Sequence, residues 1–244
     1  MERKNYILIA VLAIPLLLFS ATPAEQVYKA YISGNMKQWQ RILTEAQRNT
    51  RPSARQRLER VNFQYGYIAW CIGNQKYNEA REWIPRMEAD LEQLEKSRTE
   101  LSSVYAYKAA LYGYRIGINK LQAPFLGPKS RDFAEKSIAT DPNNPLGHQQ
   151  YGNIQFYTPF LFGGSKEKAA IHLLKALQLM EEHKEQLQWN WNYLSLLTSI
   201  AELYYDTGDR AKAIAYLKKT LTIEPGYQWV KNEILPLYES HESK

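Results

Sequence analysis

Few side chains in this sequence have the type and spacing that catalysis or metal binding requires. The four histidines, His148, His172, His183 and His241, follow no metal-ligand spacing. His172 and His183 could share a helix face, but no cysteine or carboxylate set accompanies them. Cys71, the only cysteine, lies in the apolar run "IAWCIG" with no general base nearby. We therefore predict no bound metal, no cofactor and no enzymatic activity.

A glycine pair in "TPFLFGGSKEKA", residues 158–169, raises the question of phosphate binding. A phosphate-binding loop needs Gly-x-x-x-x-Gly-Lys-Ser/Thr between a strand and a helix, and this spacing is absent. The interpretation that we favour is a turn between two helices. Gly164 would supply a positive φ angle, and Ser165 would cap the following helix.

Adjacent carboxylates also lack the setting of a catalytic pair. Glu181 and Glu182, and likewise Asp206 and Asp209, fall where helices are predicted to end or begin. A glycan-acting enzyme on a helical scaffold would need two carboxylates facing each other across a cleft. The sequence shows no such acid–base pair.

The elements that carry these residues are helices in a repeated arrangement. Over residues 194–227, apolar side chains recur at spacings of three and four, which predicts two helices with one apolar face each. Gly208 would end the first helix, Asp209 would cap the second, and Pro225 would stop it. The apolar positions are Leu197, Ile200, Ala201, Tyr204, Ala213, Ile214, Leu217 and Leu221.

This unit resembles the tetratricopeptide repeat (TPR), a helix–turn–helix of 34 residues. Ile200-Ala201 stand at the Leu-Gly places of the pattern, Ala213 at the small-residue place and Pro225 at the closing proline. Residues 145–184 form a second clear unit with Tyr151-Gly152 at the Leu-Gly places.

Weaker copies of the unit fill residues 25–144. One has Gly117 aligned with Gly152 and a short second helix from Ser130 to Thr140; another is interrupted at Pro85. The resemblance implies an all-α, TPR-like α-solenoid of antiparallel helix pairs, with about ten helices in one domain over residues 25–244.

The first residues have the composition of an export signal. Arg3 and Lys4 precede the apolar run of residues 6–19, which is shorter than the roughly 20 residues of a membrane-spanning helix. We predict a signal peptide over residues 1–24, cleaved near Ala24, and a periplasmic protein without a membrane span. An uncleaved N-terminal anchor is the alternative. The formal net charge of +6 is spread along the chain and predicts no nucleic-acid site.

The family resemblance implies binding on the concave face, which the first helix of each pair lines. Helical spacing places amide, aromatic and acidic side chains there, which suit a peptide or a small amphipathic ligand. The alternative is that some of them pack between repeats. The candidates are Asn62, Tyr65, Tyr107, Tyr114, Gln149, Asn153, Trp191, Glu202 and Tyr205, with Phe156 on the same face.

Two successive turns share an apolar segment, "PFL" at residues 124–126 and again at residues 159–161. Because neighbouring repeats stack in register, we expect the two turns side by side on one edge. Phe160 and Phe162 would either fold back over the core or form an exposed edge that docks a partner or lipid.

Two functions follow from these features. The first is a non-catalytic periplasmic scaffold that holds a peptide segment or protein partner of the cell envelope. The second is a solute-binding accessory protein of an envelope transport system, because "FGGSKEKA" and the export signal resemble the T component of tripartite periplasmic transporters.

Overall fold

All regular secondary structure over residues 21–240, which the computed structural model describes, is helical. This part of the chain contains eleven α-helices and no strand, so the predicted all-α class is confirmed. The helices are α1 (Pro23–Ser33), α2 (Met36–Arg48), α3 (Ala54–Gly73), α4 (Tyr77–Lys96), α5 (Leu101–Ile118), α6 (Ala123–Thr140), α7 (Pro145–Tyr157), α8 (Lys166–Glu181), α9 (Trp191–Asp206), α10 (Arg210–Ile223) and α11 (Leu235–Ser240). Short 3-10 turns at Lys120–Gln122, Phe160–Phe162 and Lys184–Gln186, and a π-type turn at Val230–Ile234, complete the order.

The first ten helices form five consecutive pairs, from α1/α2 to α9/α10, and α11 packs against the last pair. Local sequence fixes the turn within the last pair as predicted. Gly208 ends α9 with a φ of 86°, and the Asp209 side chain accepts a hydrogen bond from the Lys212 backbone N–H at 3.2 Å. Helix α10 ends at Ile223, two residues before Pro225.

Two predictions about the course of the helices are wrong. Helix α4 runs uninterrupted through Pro85. The proline removes the N–H that would bond to the Arg81 carbonyl, but Pro85 and Arg81 are both exposed, so water can hydrogen-bond to that carbonyl instead. Helix α6 begins at Ala123 rather than Ser130. Pro124 lies in its first turn, where a backbone N–H has no partner to lose.

The glycine pair closes the turn between α7 and α8, but the roles of its members differ from the prediction. Gly163, not Gly164, has the positive φ, of 84°. Gly164 is required for space, since a Cβ there would lie 1.8 Å from the carbonyl oxygen of Thr158. Ser165 caps α8 as predicted, accepting a hydrogen bond from the Lys168 backbone N–H at 3.2 Å.

The N-terminal helix closes the array onto its last pair. The Tyr28 hydroxyl donates to Glu224 Oε2 at 2.9 Å, and the Tyr31 ring lies 5.6 Å from Trp191 and 5.0 Å from Tyr227 between centroids. Residues that begin and end the array therefore share one core, and much of the expected concave face is covered.

The predicted signal peptide falls mostly outside the described residues. Thr22 caps α1, so the predicted cleavage point after Ala24 lies in the first turn of that helix. Within residues 21–240, no helix is long and apolar enough to cross a membrane.

We expect Gly164→Ala to lower the free energy of unfolding by at least about 2 kcal/mol, because the added methyl group meets backbone that cannot move without breaking the turn. Gly113→Ala is the matched control. Gly113 lies within α5 with nothing near its absent Cβ, so this change should raise stability by about 0.5–1 kcal/mol. Urea denaturation checks both values; equal stability of the two variants would contradict the steric role of Gly164.

Candidate functional site

A cluster of aromatic rings occupies the centre of the array. Trp191, the first residue of α9, contacts Tyr31, Trp39 and Tyr65 with centroid distances of 5.6, 5.2 and 5.9 Å. Gly66 makes room for it, since a Cβ there would lie 2.7 Å from both the Trp39 and the Trp191 rings. One indole of the fifth pair is thus inserted between the first and second pairs.

Five of the predicted groove residues lie in or beside this cluster and hydrogen-bond within the protein. The Trp191 indole N–H donates to Asn62 Oδ1 at 2.9 Å, and the Asn62 amide donates to the Tyr107 hydroxyl at 2.8 Å. The Tyr114 hydroxyl donates to the Tyr65 carbonyl oxygen at 2.9 Å. These polar atoms are engaged by one another, so the structure places them as internal contacts.

Gln149 is likewise interior, at 1% exposure. Its side chain exchanges two hydrogen bonds with Asn192, at 3.1 and 3.3 Å. The next residue, Gln150, donates to the Tyr65 hydroxyl at 2.9 Å. Helix α7 therefore contributes amide side chains to the core.

Four side chains in the C-terminal halves of α7 and α9 stay at least partly exposed, and we call the surface that they form the outer groove: Asn153, Tyr157, Glu202 and Tyr205. The Tyr157 hydroxyl donates to Glu202 Oε2 at 3.0 Å and bridges the two helices. The Tyr157 ring is 63% exposed. Tyr205 stacks on Tyr238 of α11 at a centroid distance of 3.8 Å.

Sequence reasoning missed Tyr157 and chose its neighbour Phe156 for this face. Phe156 is buried at 6% exposure. The signal was present, since Tyr157 lies one helical turn after Asn153. Phe156, three residues after Asn153, lies in the core, whereas Tyr157, four residues after it, lies at the surface.

The outer groove contains one acidic side chain, Glu202, and a second, Asp206, follows one helical turn later. Partial withdrawal from water raises the pKa of Glu202, and Asp206 one turn later raises it further, while the Tyr157 hydrogen bond acts in the opposite direction. Desolvation and the Glu202 charge raise the pKa of Tyr157. Lys166 lies 2.9 Å from Asp206, so Asp206 is already paired.

A second exposed feature is apolar, and we call it the apolar edge: Leu121, Phe125, Phe160, Leu161 and Phe162. Their exposed fractions are 84, 76, 87, 89 and 74%, so Phe160 and Phe162 do not fold back over the core. Phe125 lies in the first turn of α6 instead of in a loop as predicted. The two segments meet where Arg131 of α6 donates a hydrogen bond to the Phe162 carbonyl oxygen at 3.4 Å.

The residues with catalytic side chains occupy structural positions. Cys71 is fully buried, and burial raises its pKa to about 12. Glu181 and Asp206 end helices, and Asp209 caps one, as predicted. His241 lies outside the described residues.

His148 and His172 form a pair that the sequence did not indicate. His148 Nε2 donates to the Pro142 carbonyl oxygen at 3.0 Å, which leaves its Nδ1 to accept from His172 Nδ1 at 3.1 Å. Burial, His148 and Lys168 lower the pKa of His172. Within residues 21–240, no group of three His, Cys, Asp or Glu side chains could hold a metal ion.

A surface cavity of about 670 Å³ lies between the last two helix pairs and α1. Its wall includes Tyr28, Glu181, Tyr193 and Lys219. Glu181 accepts hydrogen bonds from Tyr193 at 2.8 Å and from Lys219 at 2.6 Å. These charged groups pair with one another and join the helices.

Trp191→Ala should lower the free energy of unfolding by about 3–5 kcal/mol, because it leaves a cavity between three helix pairs and an unpaired Asn62 oxygen. Trp229→Ala, at a tryptophan that is 41% exposed, should cost about 1 kcal/mol or less. The measurement is urea denaturation followed by circular dichroism. Similar losses in both variants would contradict the central role of Trp191.

Acidification should destabilise the protein through His172. Because the folded-state pKa lies below the unfolded value of about 6.5, the unfolded chain binds the proton more readily, and stability falls as the pH drops below that value. His172→Gln should flatten the dependence of unfolding free energy on pH between 7 and 5. His183→Gln, at an exposed histidine beyond α8, is the control and should keep the wild-type slope.

Comparison with known proteins bears on the fold. No protein-family model and no curated protein matches this chain. The HusA haemophore from Porphyromonas gingivalis aligns with a TM-score of 0.62 and 17% identity over 75% of this chain and 92% of its own. TTC0263, a thermophilic TPR protein in Thermus thermophilus, aligns with a TM-score of 0.50 and 17% identity over 89% of this chain and 96% of its own. The chain therefore has a TPR-like helical-repeat fold.

Proposed function

We propose that this protein is a non-catalytic binding protein that holds a peptide segment of a protein partner in the outer groove. The bridge between Tyr157 and Glu202 is the observation that carries the proposal. It presents an exposed aromatic ring and a partly desolvated carboxylate side by side on two neighbouring helices. The Tyr157 hydroxyl and the Glu202 carboxylate can hydrogen-bond to a peptide without any change in the core.

The Glu202 carboxylate selects the peptide. A lysine or arginine side chain would place its cation at Glu202 and its methylene stem against the Tyr157 ring. Tyr205 and Asn153, at the ends of the groove, supply a second aromatic surface and an amide for the peptide backbone. The expected partner segment is therefore extended and contains a basic residue.

We propose binding without catalysis because of how the carboxylates near the groove are paired. Glu202 and Asp206 are the acidic pair nearest to the groove, but Lys166 neutralises Asp206 at 2.9 Å. Such a pair lacks the free second carboxylate that a glycosidase needs as a base or nucleophile. Binding, without bond cleavage, is what the arrangement supports.

The cellular setting belongs to the same proposal. We place the protein in the periplasm after cleavage of residues 1–24, with an uncleaved anchor as the alternative. The composition of the first residues supports export. The partner is accordingly a protein of the cell envelope.

A second candidate is a small amphipathic ligand in the same groove, as expected of an accessory protein for solute transport. The exposed Tyr157 ring and the stacked Tyr205–Tyr238 pair favour it, because planar ligands bind aromatic faces. The HusA protein is named a haemophore, so haem is the first ligand to test.

Peptides selected from a random library on wild-type protein should be enriched in lysine and arginine. They should bind Glu202→Gln at least about tenfold more weakly, because a charge-assisted hydrogen bond is lost. Glu135→Gln, at an exposed acid of α6, a helix that does not line the groove, should leave affinity unchanged. Affinity should also fall on acidification at a pH above the usual glutamate range, because the Glu202 pKa is raised.

Fluorescence anisotropy of labelled peptides measures these affinities. Selected peptides without basic residues, or equal affinity for Glu202→Gln and wild type, would contradict the peptide proposal. Haem absorbance that shifts with wild-type protein but not with a Tyr157→Ala variant would favour the small-ligand candidate instead.

A further inference from the structure

We propose that the apolar edge binds the surface of an anionic lipid bilayer. This inference is independent of the peptide groove and assigns a role to side chains that neither the core nor the groove uses. Five large apolar residues from two successive repeats are each at least 74% exposed. Exposed apolar clusters of this kind mark sites of interaction.

The other turns within helix pairs show that an apolar turn is not demanded by the fold. They lie at the same end of the array as the apolar edge, because consecutive helices run antiparallel. Their residues are polar or glycine: Gly34-Asn35 between α1 and α2, Asn74-Gln75-Lys76 between α3 and α4, and Thr207-Gly208-Asp209 between α9 and α10. Only the third and fourth pairs carry apolar side chains there.

A rigid turn presents the three side chains of the fourth pair. The backbone N–H of Phe162 bonds to the Pro159 carbonyl at 2.9 Å, and that of Gly163 to the Phe160 carbonyl at 2.9 Å. Ser165 N–H bonds to the Gln155 carbonyl at 3.1 Å and anchors the turn on α7. Because the turn is already ordered, binding costs little conformational entropy.

The shape of the turn favours a bilayer over a protein pocket. Residues 160–162 form a 3-10 turn, in which successive side chains point about 120° apart. Phe160, Leu161 and Phe162 therefore project in three directions from a protruding tip. A fluid headgroup region can surround such a tip on all sides, whereas one rigid pocket in a protein would have to enclose it.

The charge around the edge selects an anionic surface. Residues 119–132 and 157–168 contain five basic side chains and two acidic ones, and one of the five, Lys166, is paired with Asp206. Lys129 lies one helical turn after Phe125, and Lys120 directly precedes Leu121; both are exposed and have no ion-pair partner among residues 21–240. Basic residues that flank inserted apolar side chains add electrostatic attraction to hydrophobic burial.

The test is co-sedimentation with vesicles of phosphatidylcholine, with and without phosphatidylglycerol. The protein comprises residues 21–244 and keeps every described helix while lacking the apolar N-terminal run. We expect it to bind the vesicles that contain phosphatidylglycerol, and high salt should weaken this binding. Phe160→Trp should show a blue-shifted emission with these vesicles, because the new indole enters the headgroup region.

Two variants separate the apolar and electrostatic contributions. The double variant Phe160→Ser and Phe162→Ser should partition at least about tenfold more weakly, because two rings no longer leave water. Replacing both Lys120 and Lys129 by Gln should weaken binding about fivefold for each charge. Ile171→Ser removes an equally apolar side chain that is 65% exposed on α8, away from the edge, and should bind like wild type.

Circular dichroism confirms that each variant is folded before vesicles are added. Failure of the wild-type protein to bind either vesicle, or equal binding by the double serine variant, would overturn the proposal. A Phe160→Trp emission that vesicles leave unchanged and an envelope protein shifts would also overturn it, and would assign the edge to a protein partner.

Discussion

The insertion of one indole between three helix pairs sets the form of this molecule. Trp191 begins α9, yet it contacts rings from α1, α2 and α3 and donates its only hydrogen bond to Asn62. A helical-repeat array is held mainly by contacts between neighbours. Here a contact between the fifth pair and the first two pairs closes the array, and the interior becomes a core instead of an open binding surface.

Sequence reasoning was most accurate where the cause is local. The turn at Gly208 and Asp209, the cap at Ser165 and the buried position of Cys71 follow from backbone conformation, capping and apolar neighbours within a few residues. The error at Pro85 arose because a proline was treated as a helix breaker without regard to its position. The late start predicted for α6 arose because residues 124–126 were aligned with the turn at residues 159–161. The free-energy cost of a proline in a helix is small when the carbonyl that loses its hydrogen bond faces water, or when the proline lies in the first turn.

The site could be predicted less well because its accessibility depends on distant contacts. Helical spacing placed Asn62 and Tyr65 on the concave face as binding residues, and in the structure both hydrogen-bond within the protein. No local pattern reveals that a tryptophan 129 residues after Asn62 in sequence covers them. The same limit applies to Tyr157, which one residue of helical register separates from the buried Phe156. Periodicity gives the face of a helix, whereas the tertiary contacts decide which part of that face meets solvent.

The two proposed surfaces are close together along the chain. Tyr157, which lines the outer groove, ends α7, and the tip of the apolar edge begins three residues later at Phe160. The hydrogen bond from Ser165 to the Gln155 carbonyl fixes this short connection, so groove and tip keep a constant relation. If the tip enters a bilayer, the groove lies close to the headgroups. A basic peptide bound at Glu202 would then be held near an anionic bilayer that also attracts it.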